Sequence, residues 1–339
     1  MKVGIFGAGA WGTALASQVA QFSKLNSVFL WARDPAQIAD MQVALENKRY
    51  LPGIFLPPTL SLEADFKKAA GDLSNGDIAV IATPMSGLAE TLSGVMANAH
   101  KALHFVCLCK GIEPLTYALA HEVFVRELAI HSKGIPHRFG VLAGPSFARE
   151  VGEGLPCALT IASENQALCD VVQEVFHHGN LRVYASEDLI GVEIGGAVKN
   201  ILAIAAGIGD GLGLGLNARA ALLTRGLAEM TRLVKSAGGK VETCTGLTGL
   251  GDLILTATGD LSRNRRVGLA LAAGESLTSV TQHLGHVAEG VLCAQAVEGL
   301  AKQYQIEMPI TSMVCRVLTG KLSPQEALHQ LMRRNPKQE

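Results

Sequence analysis

The chain has 339 residues, enough for about two domains of ordinary size with a sizeable core in each. Its 29 Lys and Arg stand against 30 Asp and Glu, a formal charge of −1, so no basic field exists to hold nucleic acid or anionic lipid by electrostatics alone. With 48% hydrophobic residues, 17% charged residues and 37 glycines, the composition excludes a disordered or coiled-coil protein and describes a compact, Gly-rich α/β enzyme.

The first half alternates short β-rich runs with helical patterns, the signature of a parallel sheet covered by helices. Strands are predicted at Lys2–Phe6 and Ser27–Trp31, then at 78–82, 104–108, 140–143, 158–162 and 182–184. No 7–15-residue apolar h-region of a signal peptide follows Lys2. Gly7-Ala8-Gly9-Ala10-Trp11-Gly12 follows the first strand directly and opens a helical run over 13–21. Gly7 permits a tight turn, Gly9 lets the backbone approach a pyrophosphate, and Gly12 lets helix and strand pack closely, with the helix N-terminus facing the anion. A fortuitous glycine-rich turn is the competing reading, and the position at the head of a β-α-β series favours dinucleotide binding.

The second strand ends Leu30-Trp31-Ala32-Arg33-Asp34, where an NAD-restricted site carries an acid for the ribose diol. Arg33 can stack on adenine and bind a 2′-phosphate, or be a solvated surface arginine. Asp34 either caps the next helix at Pro35 or, with the chain shifted by one residue, faces the ribose itself. The runs 78–84 and 107–111 read as strands ending in loops, and such carboxyl ends face the ligand crevice of an open α/β sheet. Lys110 is thus placed to meet cofactor or an anionic substrate, unless it is a surface lysine at a strand end. Gly144-Pro145-Ser146-Phe147-Ala148 follows another strand, and its small residues suit a close backbone approach.

Near Ser186 the texture changes, and from Glu187 to Arg334 only helical stretches and Gly-rich turns occur. This predicts a dinucleotide-binding domain over 1–188 and an all-helical domain over 189–334. The most apolar stretch, 194–216, carries Lys199, Asn200, Asp210 and several glycines, costly in a bilayer, so no membrane span is predicted. Lys199 sits amid apolar residues, with Gly195 and Gly196 on the turn its side chain leans over. Partly desolvated there, it suits a general acid or base; the alternative is a lysine snorkelling to solvent. Gly249-Leu250-Gly251-Asp252-Leu253 places an acid in a Gly-rich turn. Ser262-Arg263-Asn264-Arg265-Arg266 offers charge and donors to a phosphate, or is a solvated face. Val287-Ala288-Glu289-Gly290 is a turn before a helix, with no chemistry derivable from spacing.

The ten histidines form no ligand constellation, and no metal is expected. Seven cysteines, an odd number without C-x-x-C spacing, form no disulfide framework and point to a reducing cytosol. Cys107 and Cys109 read as buried structural thiols. Ser323-Pro324-Gln325-Glu326 reads as a helix N-cap with Pro at its first position, and 335–339 as a frayed end.

These motifs, in this order, resemble the NAD(P)-dependent glycerol-3-phosphate dehydrogenase family of the bacterial soluble type. The resemblance runs through Gly-Ala-Gly-Ala-Trp-Gly-Thr-Ala-Leu-Ala at 7–16, Tyr-Leu-Pro-Gly at 50–53, Lys110-Gly111 and Gly-Pro-Ser at 144–146. It continues through Ala-Val-Lys-Asn at 197–200, Gly-Asp-Leu at 251–253, Ser-Arg-Asn at 262–264 and Ala-Glu-Gly at 288–290. It implies a Rossmann-like domain followed by a helical one, and reversible conversion of dihydroxyacetone phosphate to sn-glycerol 3-phosphate for glycerophospholipid synthesis. Lys199 then matches the proton donor and acceptor. Lys110, Gly144, Ser146, Asn200, Asp252, Ser262, Arg263 and Asn264 match substrate-binding positions, with Lys110 and Arg263 also near the cofactor. Trp11, Arg33, Tyr50, Ala148, Val287 and Glu289 match cofactor positions beside Gly7, Gly9 and Gly12. Ala10 departs from the Ser of many members, removing a hydroxyl but no backbone donor. NADPH or NADH is the implied cofactor, with NADPH preferred because of Arg33, and a cytoplasmic homodimer is the implied state. The rival readings are a β-hydroxyacid or 6-phosphogluconate type of dehydrogenase and a non-catalytic NAD(P) sensor.

Overall fold

A computed structural model describes residues 1–21, 27–283 and 288–335. The chain divides into two units, Met1–Lys110 with Leu119–Leu189, and Gly111–Ala118 with the chain from Ile190 onward.

The first unit is built on eight strands: β1 (Lys2–Phe6), β2 (Ser27–Trp31), β3 (Leu60–Glu63), β4 (Ile78–Ile81), β5 (His104–Cys107), β6 (Arg138–Ala143), β7 (Cys157–Ala162) and β8 (Leu181–Ser186). Their order in the sheet is β3-β2-β1-β4-β5-β6-β7-β8. The chain runs outward from β1 to β3 and then crosses to β4, so strand order reverses between β1 and β4. Loops at the carboxyl ends of these two strands border the crevice where such folds bind dinucleotides. The continuous apolar runs follow from burial on both faces: Val3, Ile5, Phe6 and all of β4 have no exposed surface.

All seven predicted strands are present, with ends shifted by up to two residues. β3 was not anticipated, because Leu-Ser-Leu-Glu is short and half polar. It pairs with β2 alone, at the sheet edge, where one unburied face is tolerated. The sheet is also not wholly parallel, since β6 and β7 run antiparallel. Their connection carries just the five-residue helix Ala148–Gly152 and reverses the chain rather than crossing it back over the sheet.

Among the described residues no strand follows β8. The helix Leu189–Gly211 is long and apolar enough to cross a membrane by composition, but it is the buried core helix of the second unit. Its glycines serve packing. A Cβ on Gly207 would lie 2.1 Å from Arg265 O, and one on Gly268 would lie 2.1 Å from Ile204 O. The helix Arg263–Ala272 therefore rests backbone to backbone on the core helix. Elsewhere in this unit, Glu229 accepts from the N–H groups of Ile310 (2.6 Å) and Thr311 (3.2 Å), covering the N-terminus of the helix Pro309–Leu318. The last helix, Pro324–Met332, starts at the expected Ser323 cap, completed by Glu326. The predicted fraying of 335–339 falls largely on residues outside those described.

Candidate active site

In the first unit, the glycine motif turns β1 into the helix Ala10–Val19, which begins three residues earlier than the periodicity predicts, inside the motif itself. Gly7 adopts φ +128°, and a Cβ there would lie 2.7 Å from Ala82 O. A Cβ on Gly12 would lie 2.1 Å from Gly7 O, so the close helix–strand approach is real. Beside Gly9, by contrast, no atom lies within 4 Å of where a Cβ would sit. That open space next to helix N–H groups is what a pyrophosphate needs. Two buried polar atoms, Trp11 Nε1 and Thr83 Oγ1, have no hydrogen-bond partner. Trp11 lies in the motif and Thr83 follows β4, so both fall at the two strand ends that frame the crevice. The residues present fit a dinucleotide.

At the end of β2 the two neighbours are distinguished by their commitments. Asp34 accepts from Ala36 N–H at 3.0 Å as the N-cap of the helix Pro35–Ala44, and lies 3.9 Å from Arg49. Arg33 is exposed and makes no hydrogen bond or ion pair among the described residues. Tyr50 is half-buried, with the Arg49 guanidinium 5.1 Å from its ring centroid.

Lys110, Gly144 and Ser146 converge on one atom. The Gly144 carbonyl accepts from Lys110 Nζ at 3.2 Å and from Ser146 Oγ at 3.0 Å. Gly144 has φ +140°, a conformation that bends the chain at the end of β6. Ala148 opens the next helix. Cys107 and Cys109 are buried as expected, and Cys109 Sγ donates to Thr83 O at 3.0 Å.

In the second unit, Lys199 does not snorkel. Its residue surface is 5% exposed, and Nζ donates to Asp252 Oδ1 at 2.5 Å and to Thr256 Oγ1 at 3.1 Å. Thr256 also donates to Asp252 Oδ1 at 3.2 Å, closing a triangle. Asp252 opens the helix Asp252–Thr258 directly after a π-helical turn, Leu247–Gly251. The vacancy left by Gly195 is filled by that turn, since a Cβ there would lie 2.9 Å from Thr248 O. Thr256 is a residue that the sequence reading missed; its signal was the i, i+4 spacing from Asp252, which puts both on one helix face.

A second network surrounds Asn200. Asn264 Nδ2 donates to Asn200 Oδ1 at 2.9 Å, Asn200 Nδ2 donates to Glu289 Oε2 at 3.5 Å, and Gly290 N–H donates to Asn264 Oδ1 at 3.0 Å. Because Glu289 and Gly290 are consecutive, the four residues form a ring. The residues Glu289 and Gly290, from whose spacing no chemistry is derivable, thus join the network of Asn200. Val287 lies outside the described residues.

The three arginines of the basic cluster separate. Arg265 is held by Asp210 and Asp260, each at 2.9 Å, and Arg266 Nε donates to Asp260 O at 2.8 Å. Arg263, exposed at the first position of its ten-residue helix, has no partner among the described residues. Ser262 caps that helix, accepting from Arg265 N–H at 3.2 Å, which leaves its own O–H to donate.

A large apolar cavity of the second unit, about 980 Å³, is lined by residues such as Leu222, Met313, Val314 and Leu328 and touches none of these candidates. The buried charges, not the apolar volume, mark the candidate site.

Family profiles match almost the whole chain: that for the N-terminus of NAD-dependent glycerol-3-phosphate dehydrogenase covers residues 2–169, and that for its C-terminus covers 188–329. The chain belongs to the NAD-dependent glycerol-3-phosphate dehydrogenase family. It is 63% identical over 337 residues to the glycerol-3-phosphate dehydrogenase [NAD(P)+] of Polynucleobacter asymbioticus, covering 99% of each chain. It is 54% identical over 342 residues to the enzyme of the same name from Cupriavidus necator, covering 100% of each. Among solved structures, the glycerol-3-phosphate dehydrogenase of Coxiella burnetii superposes with a TM-score of 0.91 at 42% identity, covering 98% of this chain and 99% of that one.

Proposed function

We propose that the chain interconverts dihydroxyacetone phosphate and sn-glycerol 3-phosphate, with Lys199 as the proton donor and acceptor and NAD(P)(H) as the hydride carrier. The observation that carries this reading is the buried Lys199 ammonium held between Asp252 and Thr256. A protein that only senses dinucleotides has no use for a buried, positioned acid.

When bound, the dinucleotide supplies or accepts the hydride at its nicotinamide ring. Gly7, Gly9, Trp11 and Gly12 would cradle its pyrophosphate, Arg33 and Tyr50 its adenosine end, and Lys110, Ala148, Arg263, Val287 and Glu289 the remainder. During reduction negative charge grows on the ketone oxygen. Lys199 Nζ stabilises that charge and passes its proton to it, while Asp252 and Thr256 hold the amine in place. Asn200 and Asn264, locked in their ring with Glu289 and Gly290, orient substrate hydroxyls. Arg263 binds the phosphate, with Ser262 O–H and the helix N-terminus adding donors; Lys110, Gly144 and Ser146 complete the substrate contacts. Fixing the phosphate places the carbonyl for transfer.

The free Arg33 beside a committed Asp34 supports a preference for NADPH over NADH. We assign most of the dinucleotide contacts to 1–188, and to 189–334 the proton transfer, the phosphate and the remaining dinucleotide contacts of Arg263, Val287 and Glu289. Free thiols at all seven cysteines support a cytoplasmic setting, and exposed Leu214 and Leu216 support self-association into a homodimer, which sedimentation tests. The decisive experiment is spectroscopic: reduced dinucleotide should be consumed on adding dihydroxyacetone phosphate, and absence of turnover overturns the proposal.

A further inference from the structure

We infer that Asn47 and Gln37 are positioning residues for dinucleotide binding, acting through the Ala8 carbonyl of the glycine loop; the inference rests on the reading of that loop as the dinucleotide site. Gln37 Nε2 donates to Ala8 O at 2.7 Å, and Asn47 Nδ2 donates to the same oxygen at 3.0 Å. Asn47 Nδ2 also donates to Thr13 Oγ1 at 2.8 Å, and Asn47 Oδ1 accepts from Tyr50 N–H at 3.3 Å. One side chain thus ties together the loop, the helix that follows it and the segment carrying Tyr50. Asn47 is 1% exposed and Thr13 is fully buried, so water cannot replace these bonds.

The effect on the loop follows from peptide geometry. The Ala8–Gly9 peptide is trans, and the C=O and N–H of a trans peptide point in opposite directions. With both acceptor directions of Ala8 O occupied from one side, Gly9 N–H is turned away from Asn47 and Gln37. That N–H has no acceptor among the described residues, and space beside the Gly9 α carbon is open. A glycine-flanked peptide flips cheaply, so without the two amides the loop would sample orientations that do not present this donor to a phosphate. An amide suits the task at Asn47. It donates twice and accepts once in a buried volume where the isosteric carboxylate has no hydrogen to donate. Neither residue is visible in spacing, since Gln37 and Asn47 lie 29 and 39 positions from Ala8.

The test compares wild type, Gln37→Ala and Asn47→Asp by fluorescence titration with NADPH and NADH and by steady-state kinetics. Dinucleotide Kd and KM should rise about 3- to 10-fold for Gln37→Ala and about 10- to 100-fold for Asn47→Asp, at kcat and ketone KM within about twofold of wild type under saturating dinucleotide. The double variant should lose less than the product of the two, because both bonds end on one oxygen. Gln37 is only half-buried, so its variant carries the test if Asn47→Asp does not fold. Wild-type dinucleotide affinity in Gln37→Ala, or losses confined to kcat and ketone KM, would overturn the inference while leaving the loop's role intact. A wild-type protein that binds neither dinucleotide overturns the reading of the loop, and this inference with it.

Discussion

Lys199 Nζ stands 2.5 Å from Asp252 Oδ1, with side-chain exposures of 6% and 2%. An ion pair so removed from water costs more to build than an apolar pair of equal volume, and breaking it by removing one partner is strongly destabilising. The two partners lie 53 residues apart in sequence, and the proposed role of Lys199 as proton donor is what such a costly pair would serve.

Lys199→Ala should lower kcat by about 10²- to 10⁴-fold, the usual contribution of a positioned general acid, while dinucleotide Kd stays close to wild type. Near-wild-type kcat would remove Lys199 from the mechanism.

Arg263→Ala should act on phosphate recognition. The loss in kcat/KM for dihydroxyacetone phosphate should be about 10- to 150-fold, the range for a charge-assisted contact worth roughly 1.5–3 kcal/mol. Unphosphorylated dihydroxyacetone should be a poor substrate of both proteins and little changed. Equal losses for both ketones would assign Arg263 to the fold or the cofactor.

Gly290→Ala tests the ring around Asn200. The added Cβ would lie 2.8 Å from both Asn200 O and Asn264 Oδ1, so the Asn264 side chain must move and its bond from Gly290 N–H is lost. A fall of about 10- to 100-fold in kcat/KM is expected, corresponding to one buried polar group left unpaired. Unchanged kinetics would show that the ring plays no part in holding substrate.

Arg33→Asp should raise KM for NADPH strongly and KM for NADH much less, because a carboxylate repels the 2′-phosphate and suits a free ribose diol. Comparable effects on both, or a wild-type preference for NADH, would show that Arg33 does not read the 2′-phosphate.

Burial lowers the pKa of His104, His137 and His178 below their ordinary 6.5, with small further pushes from Arg138 on His104 and His177 on His178. Each binds its proton more weakly in the fold than in the unfolded chain, so as pH falls the unfolded chain takes up protons first. Their contribution to stability is complete above about pH 6.5 and is lost as pH falls from there toward the folded pKa values. Glu229 works the other way, since burial raises its pKa and acid relieves the cost of its charge. His137 isolates the effect: its Nδ1 accepts from Leu103 N–H at 3.1 Å, a bond that Asn can replace. Thermal melts of His137→Asn should show a shallower fall in Tm below about pH 6.5 than wild type, and parallel curves would exclude His137 from the effect.

The alternation of apolar runs with helical periods, the glycine motif at the end of the first strand and the change to helical texture near Ser186 are legible in the sequence. The physical reason is that each is local: strand, turn and helix are written within some twenty consecutive residues, and burial on both faces leaves an uninterrupted apolar run. The edge strand Leu60–Glu63 is not legible, because one covered face leaves it half polar, and neither is the reversal of β7, which depends on how the preceding connection packs. Asp34 and Arg33 are equivalent candidates in sequence; only the fold commits Asp34 Oδ1 to Ala36 N–H at 3.0 Å and leaves the Arg33 side chain exposed beside it. The three arginines at 263–266 are likewise indistinguishable until Asp210 and Asp260 claim two of them. Lys199 is a lysine among apolar residues in either reading, and only the fold supplies Asp252 and Thr256. Pairings of this kind join residues tens of positions apart, and no local periodicity carries them, because which donor meets which acceptor is settled by backbone packing such as that of Gly207 on Arg265 and Gly268 on Ile204.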